Sequence, residues 1–411
     1  MKRFLVLLLF LPLCLIVSCE KEDNPINPDK EEIEPLLPSL FIDTEDHMEI
    51  TTKDNYVPAT IKIEGKNQFE DYQGTLGIRG RGNTTWGMPK KPYKLKLDSK
   101  ASLMGMAPYK TWILLAEYLD GSMLYNSIPF KAAEMLDMPY TNHIIPVELT
   151  LNGKYQGFYV FTEHKEVGEN RIDIGEDGWL LELDAHFDEP LQFKSQKYDL
   201  PVMIKFPKYK NMSESESQDK LQEIKNDFEG FEAMVYDENF PDNDYLEYFD
   251  ALSFVNYMVV YQLTSNQEIN HPKSTYIHKK ANDKYRMGII WDFDWGFGFS
   301  PDKGHYMIET ANAPLFWPDE SPGTRFFSKF MEDPYIQELF SERWDWFKTH
   351  KYQELKSHVR QYSTLVRQAY KKDHEIWGNR NSTGDPEQDL ERVLSWLDAR
   401  VDYIDSYVAG F

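Results

Sequence analysis

From residue 40 to about 206 the apolar positions recur in short runs with period two, the spacing of strands that bury one face. Residues 56–63 end in alternation, and residues 93–97 and 145–151 alternate throughout. Asn152 and Gly153 follow the last of these, a pair suited to the tight turn of a hairpin, and residues 157–161 read as the return strand. One helix is expected inside this region, over 122–136, ended by Pro139.

At about Ser213 the period changes. Leu221, Ile224, Phe228, Phe231 and Val235 fall three or four apart, on one face of a helix. Residues 248–263 are apolar enough for a buried helix, and a strand pair over 275–278 and 285–291 follows, joined through Asn282 and Asp283. The last helix sets Leu390, Val393, Leu394, Leu397, Val401, Ile404 and Val408 on one stripe. The pattern therefore predicts an α+β chain, strand-rich over 39–210 and mainly helical over 211–411, with a ligand held between the two lobes.

Composition adds two limits. The 411 residues carry 68 acidic and 45 basic side chains, a net charge of -23, which excludes bulk attraction to nucleic acid or anionic lipid. The 25 Tyr, 25 Phe and 10 Trp supply ample core, and no repeat of solenoid or propeller length stands out. The first residues form a targeting segment. Lys2 and Arg3 precede an apolar run over 4–17, which is too short to span a bilayer permanently. Ile16, Val17, Ser18 and Cys19 resemble a bacterial lipobox, which implies a signal peptide over 1–18 and lipidation at Cys19. The acidic run from Glu20 to Asp23 resembles a surface-export signal, and residues 19–38 read as a flexible tether. Both cysteines, Cys14 and Cys19, lie in this region, so no internal disulfide is expected. The expected location is outside the cytoplasm, anchored by lipid in the outer membrane and exposed at the surface.

Three stretches carry candidate chemistry. Between Arg79 and Lys100 stand seven basic residues against one acid, Asp98, interleaved with glycines. Glycines let backbone N–H groups approach an anion while Arg and Lys side chains neutralise it; a solvated strand face with a glycine turn is the plain alternative. Lys94 and Lys96 are two apart in a strand and share a face. In the second stretch, an apolar strand stops at Asp292 and Asp294, which would point to one side and hold a hard cation such as Mg²⁺. A turn capped by Asp side chains is its alternative. The third is the polar loop over 265–274, where His271 is as readily a hydrogen-bonding group as a catalyst. No phosphate-binding loop of the Walker type, nucleophile elbow or zinc-protease motif occurs.

Arg81, Gly82, Asn83, Thr84, Thr85 and Trp86, then residues 90–97, 152–159 and 291–296, resemble the spore-coat protein H-type (CotH) kinase family in order and spacing. The resemblance implies an atypical protein-kinase-like fold of two lobes, with ATP and Mg²⁺ (or Mn²⁺) between them and a protein hydroxyl as acceptor. In that reading Lys94 or Lys96 grips the nucleotide phosphates, and Arg79, Arg81 and Asn83 line the loop over them. Asp292 and Asp294 hold the metal. The family's catalytic loop carries Asn-x-Asp with an Asn about five residues on; here Glu268 takes the acidic position and Ser274 that of the metal-ligating Asn. The alternative is a surface lipoprotein that keeps the fold and binds another ligand, such as a glycan on its aromatics.

Overall fold

Strand pairing begins at the first residues of the folded chain. In the computed structural model, which describes residues 36–378 and 381–411, β1 (Ser39–Thr44) runs antiparallel to β2 (Val57–Glu64). Antiparallel neighbours β3 (Tyr72–Gly80), β4 (Tyr93–Ala101) and β5 (Tyr109–Leu115) follow. The helix α1 (Ser127–Met135) comes next, and then the hairpin of β6 (Ile145–Leu151) and β7 (Lys154–Glu163). Asn152 and Gly153 both take positive φ, 49° and 70°, as a two-residue hairpin turn requires. Because β7 pairs with β5 and β6 pairs in parallel with β1, the seven strands close into a barrel. Its interior holds Leu40, Ile61, Ile78, Leu95, Trp112, Val147 and Phe161, the inward half of each alternation.

A second sheet lies beyond the barrel. The strands β8 (Trp179–Leu183), β9 (Gln192–Lys194) and β10 (Pro201–Phe206) precede two helices, α2 (Glu214–Tyr236) and α3 (Ala251–Thr264). Then β11 (Thr275–Lys279) and β12 (Tyr285–Met287) complete a five-stranded sheet in the order β12-β11-β8-β10-β9. This sheet takes strands from both sides of residue 210. Four helices finish the chain: α4 (Pro322–Phe330), α5 (Pro334–His350), α6 (Tyr352–Trp377) and α7 (Pro386–Val408). The described residues form one compact unit.

The expected α+β order is present, strands first and helices after. The strand-rich part differs from the expected open lobe of a kinase: it is a closed barrel followed by a mixed sheet. Closure depends on the parallel pairing of β1 with β6, about a hundred residues apart, which local alternation does not encode. Two element ends also moved. The helix expected over 122–136 starts at Ser127, because the buried carboxylate of Asp120 accepts from the backbone N–H of Ser122, Leu124 and Tyr125 and ties 120–126 into turns. The strand expected over 285–291 stops at Met287, where Gly288 takes φ 119°. Of the last stripe, Leu390 through Ile404 are buried and Val408 packs at its edge.

Candidate functional site

A cavity of about 690 Å³ opens among the loop after β3, the ends of β5 and β7, the second sheet, and the segments 268–274 and 291–295. That volume is ordinary for a small-molecule site, roughly 300–1,000 Å³. Arg79, Arg81, Asn83, Lys94, Glu268, Ser274, Asp292 and Asp294 all line it, so eight residues from three distant stretches meet in one place. Lys96 does not; it is exposed, its ammonium 5.8 Å from the centre of the Tyr56 ring. Of the two lysines on that strand face, Lys94 lines the cavity. Asn83 is exposed and accepts from the Lys53 ammonium at 2.8 Å. Cys19, with the whole lipobox and tether up to Pro35, lies outside the described residues.

One wall of the cavity is cationic. The Lys94 ammonium stands 2.8 Å from Nε2 of His164, and the Arg81 guanidinium lies over the Trp291 ring at 5.6 Å. The Lys165 ammonium lies 4.6 Å from the centres of both the Trp291 and Tyr276 rings. Burial, with the nearby charge of Arg79 added, pushes Lys94 down to about 7. Burial also lowers Lys165 to about 8, against the pull of Glu182, while Arg81 and Lys205 push it further. His164 is held well below its usual range by burial and by the charge of Lys94. Lys94 has no carboxylate within ion-pair distance among the described residues, whereas Arg81 feels the charges of Asp292 and Asp294 and Lys165 lies near Glu182.

The opposite wall is acidic. Burial and the charge of Asp292 raise Asp294 to about 7, and the same two causes raise Glu268 to about 9. Glu268 is 4% exposed, and its Oε2 has no hydrogen-bond partner. The Ser274 hydroxyl donates toward Asp292 Oδ2 at 3.4 Å, and its backbone N–H donates to Asp184 Oδ2 at 3.2 Å. Asp292 itself sits at φ 61°, so the chain turns there and does not run on as a strand; both carboxylates nonetheless face the cavity. Among the described residues no group of three or more His, Cys, Asp or Glu side chains is arranged to hold a metal. Mg²⁺ does not require one, since it is commonly bound by one or two carboxylates together with substrate phosphates and water. Asp292 and Asp294, which repel one another, and the unpartnered oxygen of Glu268 suit such a cation.

Sequence reasoning missed the support behind the cationic wall. Glu182, in the middle of β8, accepts from the Lys205 ammonium at 3.0 Å and from the Tyr276 hydroxyl, and lies 3.9 Å from Lys165. Burial works against its charge, but Lys165 and Lys205 outweigh that and hold Glu182 ionised, below the usual range. In turn Lys205 is held above its usual range, burial being overcome by Glu182 and Glu189. Glu182 thus holds two lysines in one orientation. A lone acid in the otherwise apolar run Trp179 to Leu183 was the available signal.

Lys94 yields a direct test. A polyanion bound beside it restores its charge, so above pH 7 binding takes up a proton and weakens as pH rises; at pH 6 the ammonium is already formed and uptake vanishes. Calorimetry of metal-free ATP binding at pH 8, in buffers of different ionisation enthalpy, is expected to report about one proton taken up. Lys94→Met removes the larger part of that uptake, Lys165 supplying the remainder.

The cavity thus brings a cation cluster and a carboxylate cluster together, with Glu268 among the carboxylates. A family model described as CotH kinase protein matches residues 78–404, a stretch that contains nearly all of the cavity wall. No curated protein matches the chain. With more than three quarters of its length matched, this chain belongs to the CotH kinase family.

Proposed function

We propose that the chain is an atypical protein kinase that transfers the γ-phosphate of ATP to a protein hydroxyl outside the cytoplasm, with Mg²⁺ or Mn²⁺ as cofactor. The observation that carries this reading is the opposed pair of charge clusters. A nucleoside triphosphate with a divalent cation supplies charge to both clusters at once, negative toward Arg81 and Lys94 and positive toward Asp292 and Asp294. The fold reading that accompanies it is a divergent kinase arrangement in which the barrel and second sheet serve as the nucleotide-gripping part.

When bound, the cation neutralises charge on the phosphate oxygens. Arg79, Arg81 and Lys94 orient the phosphates, while Glu182 keeps Lys165 and Lys205 in place behind them. Glu268 orients the accepting hydroxyl and takes its proton. Burial and neighbouring carboxylates keep Glu268 protonated when the site lacks a cation, and positive charge on Asp292 and Asp294 releases it as a base. Its extra methylene, relative to aspartate, reaches across the same gap from the 3-10 turn Gln267–Ile269. Anchoring through a lipid on Cys19 would hold this chemistry at a membrane surface; among the described residues no helix is long and apolar enough to cross one.

Two experiments test the reading. Incubating the wild-type chain with labelled ATP, Mg²⁺ or Mn²⁺ and exported proteins is expected to give metal-dependent labelling, and no labelling under any metal removes the kinase reading. Arg81→Ala and Lys94→Ala are each expected to weaken nucleotide binding by about 1.5–3 kcal/mol, the range for a hydrogen bond to a charged group. Unchanged affinity in the folded double variant would favour the binding-module alternative.

A further inference from the structure

The carboxylate wall carries a cation of its own. Lys273 lines the cavity immediately before Ser274, and its backbone N–H donates to the carbonyl of Glu268 at 3.0 Å. That bond closes the loop between Glu268 and Lys273 and fixes the two side chains on the same side of the cavity. The Lys273 ammonium lies 5.0 Å from the centre of the Trp295 ring, with no carboxylate within ion-pair distance among the described residues. Trp295 is itself braced: His271 packs on it at 5.1 Å and stacks on Trp317 at 5.2 Å with an interplanar angle of 11°. A flexible lysine beside Glu268 and near Asp184 would be expected to collapse onto a carboxylate. Here its ammonium rests against Trp295 at the cavity wall, with His271 and Trp317 packed behind that ring.

We propose that Lys273 is a further catalytic residue of the phosphotransferase reaction, its ammonium contacting the phosphoryl group as it passes toward the hydroxyl at Glu268, and that Trp295 positions it. The inference rests on the phosphotransferase reading. In the step concerned, the bond from the γ-phosphorus to the bridging oxygen breaks and its electron pair stays on the departing diphosphate. A bond forms from the acceptor oxygen to phosphorus, and the hydroxyl proton passes to the Glu268 carboxylate. Lys273 keeps its protons throughout; it neutralises charge on the oxygens in flight. On the same loop as Glu268, and not in the basic run that carries Arg81 and Lys94, it contributes more to the transferring group than to the bound nucleotide, and interactions of that kind raise kcat without tightening ground-state binding.

The test compares wild type, Lys273→Ala, Lys273→Arg and Trp295→Leu for transfer kinetics, for ADP affinity, and for the extra thermal stabilisation that aluminium fluoride adds to the Mg²⁺–ADP complex. Lys273→Ala is expected to lose about 10²-fold in kcat, with ADP affinity within about twofold and the aluminium fluoride increment abolished. Lys273→Arg recovers part of both, and Trp295→Leu loses part of both. A Lys273→Ala protein that keeps kcat within threefold, or that loses ADP affinity as steeply as kcat, overturns the catalytic role and leaves the phosphotransferase reading standing. A wild type that transfers no phosphate and shows no aluminium fluoride increment overturns both.

Discussion

Replacing Asp373 by Ala is expected to lower the unfolding free energy by about 3–5 kcal/mol, the cost of leaving one member of a buried ion pair alone. Lys90 and Asp373 meet at 2.5 Å with both side chains wholly buried. Asp373 comes from α6 and also accepts from the backbone N–H of Phe158 in β7 at 2.8 Å, while Lys90 donates to the Phe158 carbonyl. Burial pulls the Lys90 charge below its usual range, and Asp373 is the main group that opposes this. The pair therefore fastens the segment that follows the basic loop to the helical part of the molecule. The double variant Lys90→Met with Asp373→Leu, which removes both charges together, should regain most of the loss. Urea denaturation of the three proteins measures it. A loss below about 1 kcal/mol in Asp373→Ala would mean that water reaches the pair.

The largest effect on activity is expected at Asp292. Asp292→Asn should lower metal-dependent transfer by at least about 10²-fold, in line with removal of a preorganised charge at a phosphoryl-transfer site. Stability should hold or rise, because Asp292 is a cause of the upward shifts of Glu268 and Asp294, and neutralising it relieves that repulsion. The plainer role of a turn-capping aspartate predicts the reverse pattern, a lower melting temperature with no change in metal response. Asp292 is poorly suited to that role: its backbone carbonyl, not its carboxylate, accepts from Asn266 at 3.0 Å. Glu268→Asp, which restores the shorter acid of the family pattern, should preserve or raise turnover in the same assay. Melting curves and initial rates with and without Mg²⁺ separate the two accounts.

What the sequence disclosed depended on how densely each signal was packed. The hairpin turn at Asn152 and Gly153, the stripe of α7 and the buried helix α3 are local patterns, and each appears where its period placed it. Arg81, Lys94, Glu268, Ser274, Asp292 and Asp294 were legible because they cluster in three short runs of unusual composition. Lys165, Glu182, Lys205 and Tyr276 were not, because each stands singly in a different strand or loop and only the second sheet brings them together. Barrel closure was hidden for a similar reason: alternation says which face of β1 is buried but not that its other edge finds β6. Lys94 and Lys96 stood as alternatives, and the structure separates them by position. Lys96 does share a face with Lys94, yet the cavity ends before reaching it.

The central claim is that one cavity takes a nucleotide and a divalent cation together. Calorimetric titration of ATP into the wild-type chain, with and without Mg²⁺, tests it most directly. The account predicts saturable binding at one site that Mg²⁺ tightens about tenfold or more, an increment worth roughly 1.4 kcal/mol that disappears in Asp292→Asn. ATP binding that is absent at millimolar concentration, or that is indifferent to Mg²⁺ and to Asp292→Asn, would contradict it.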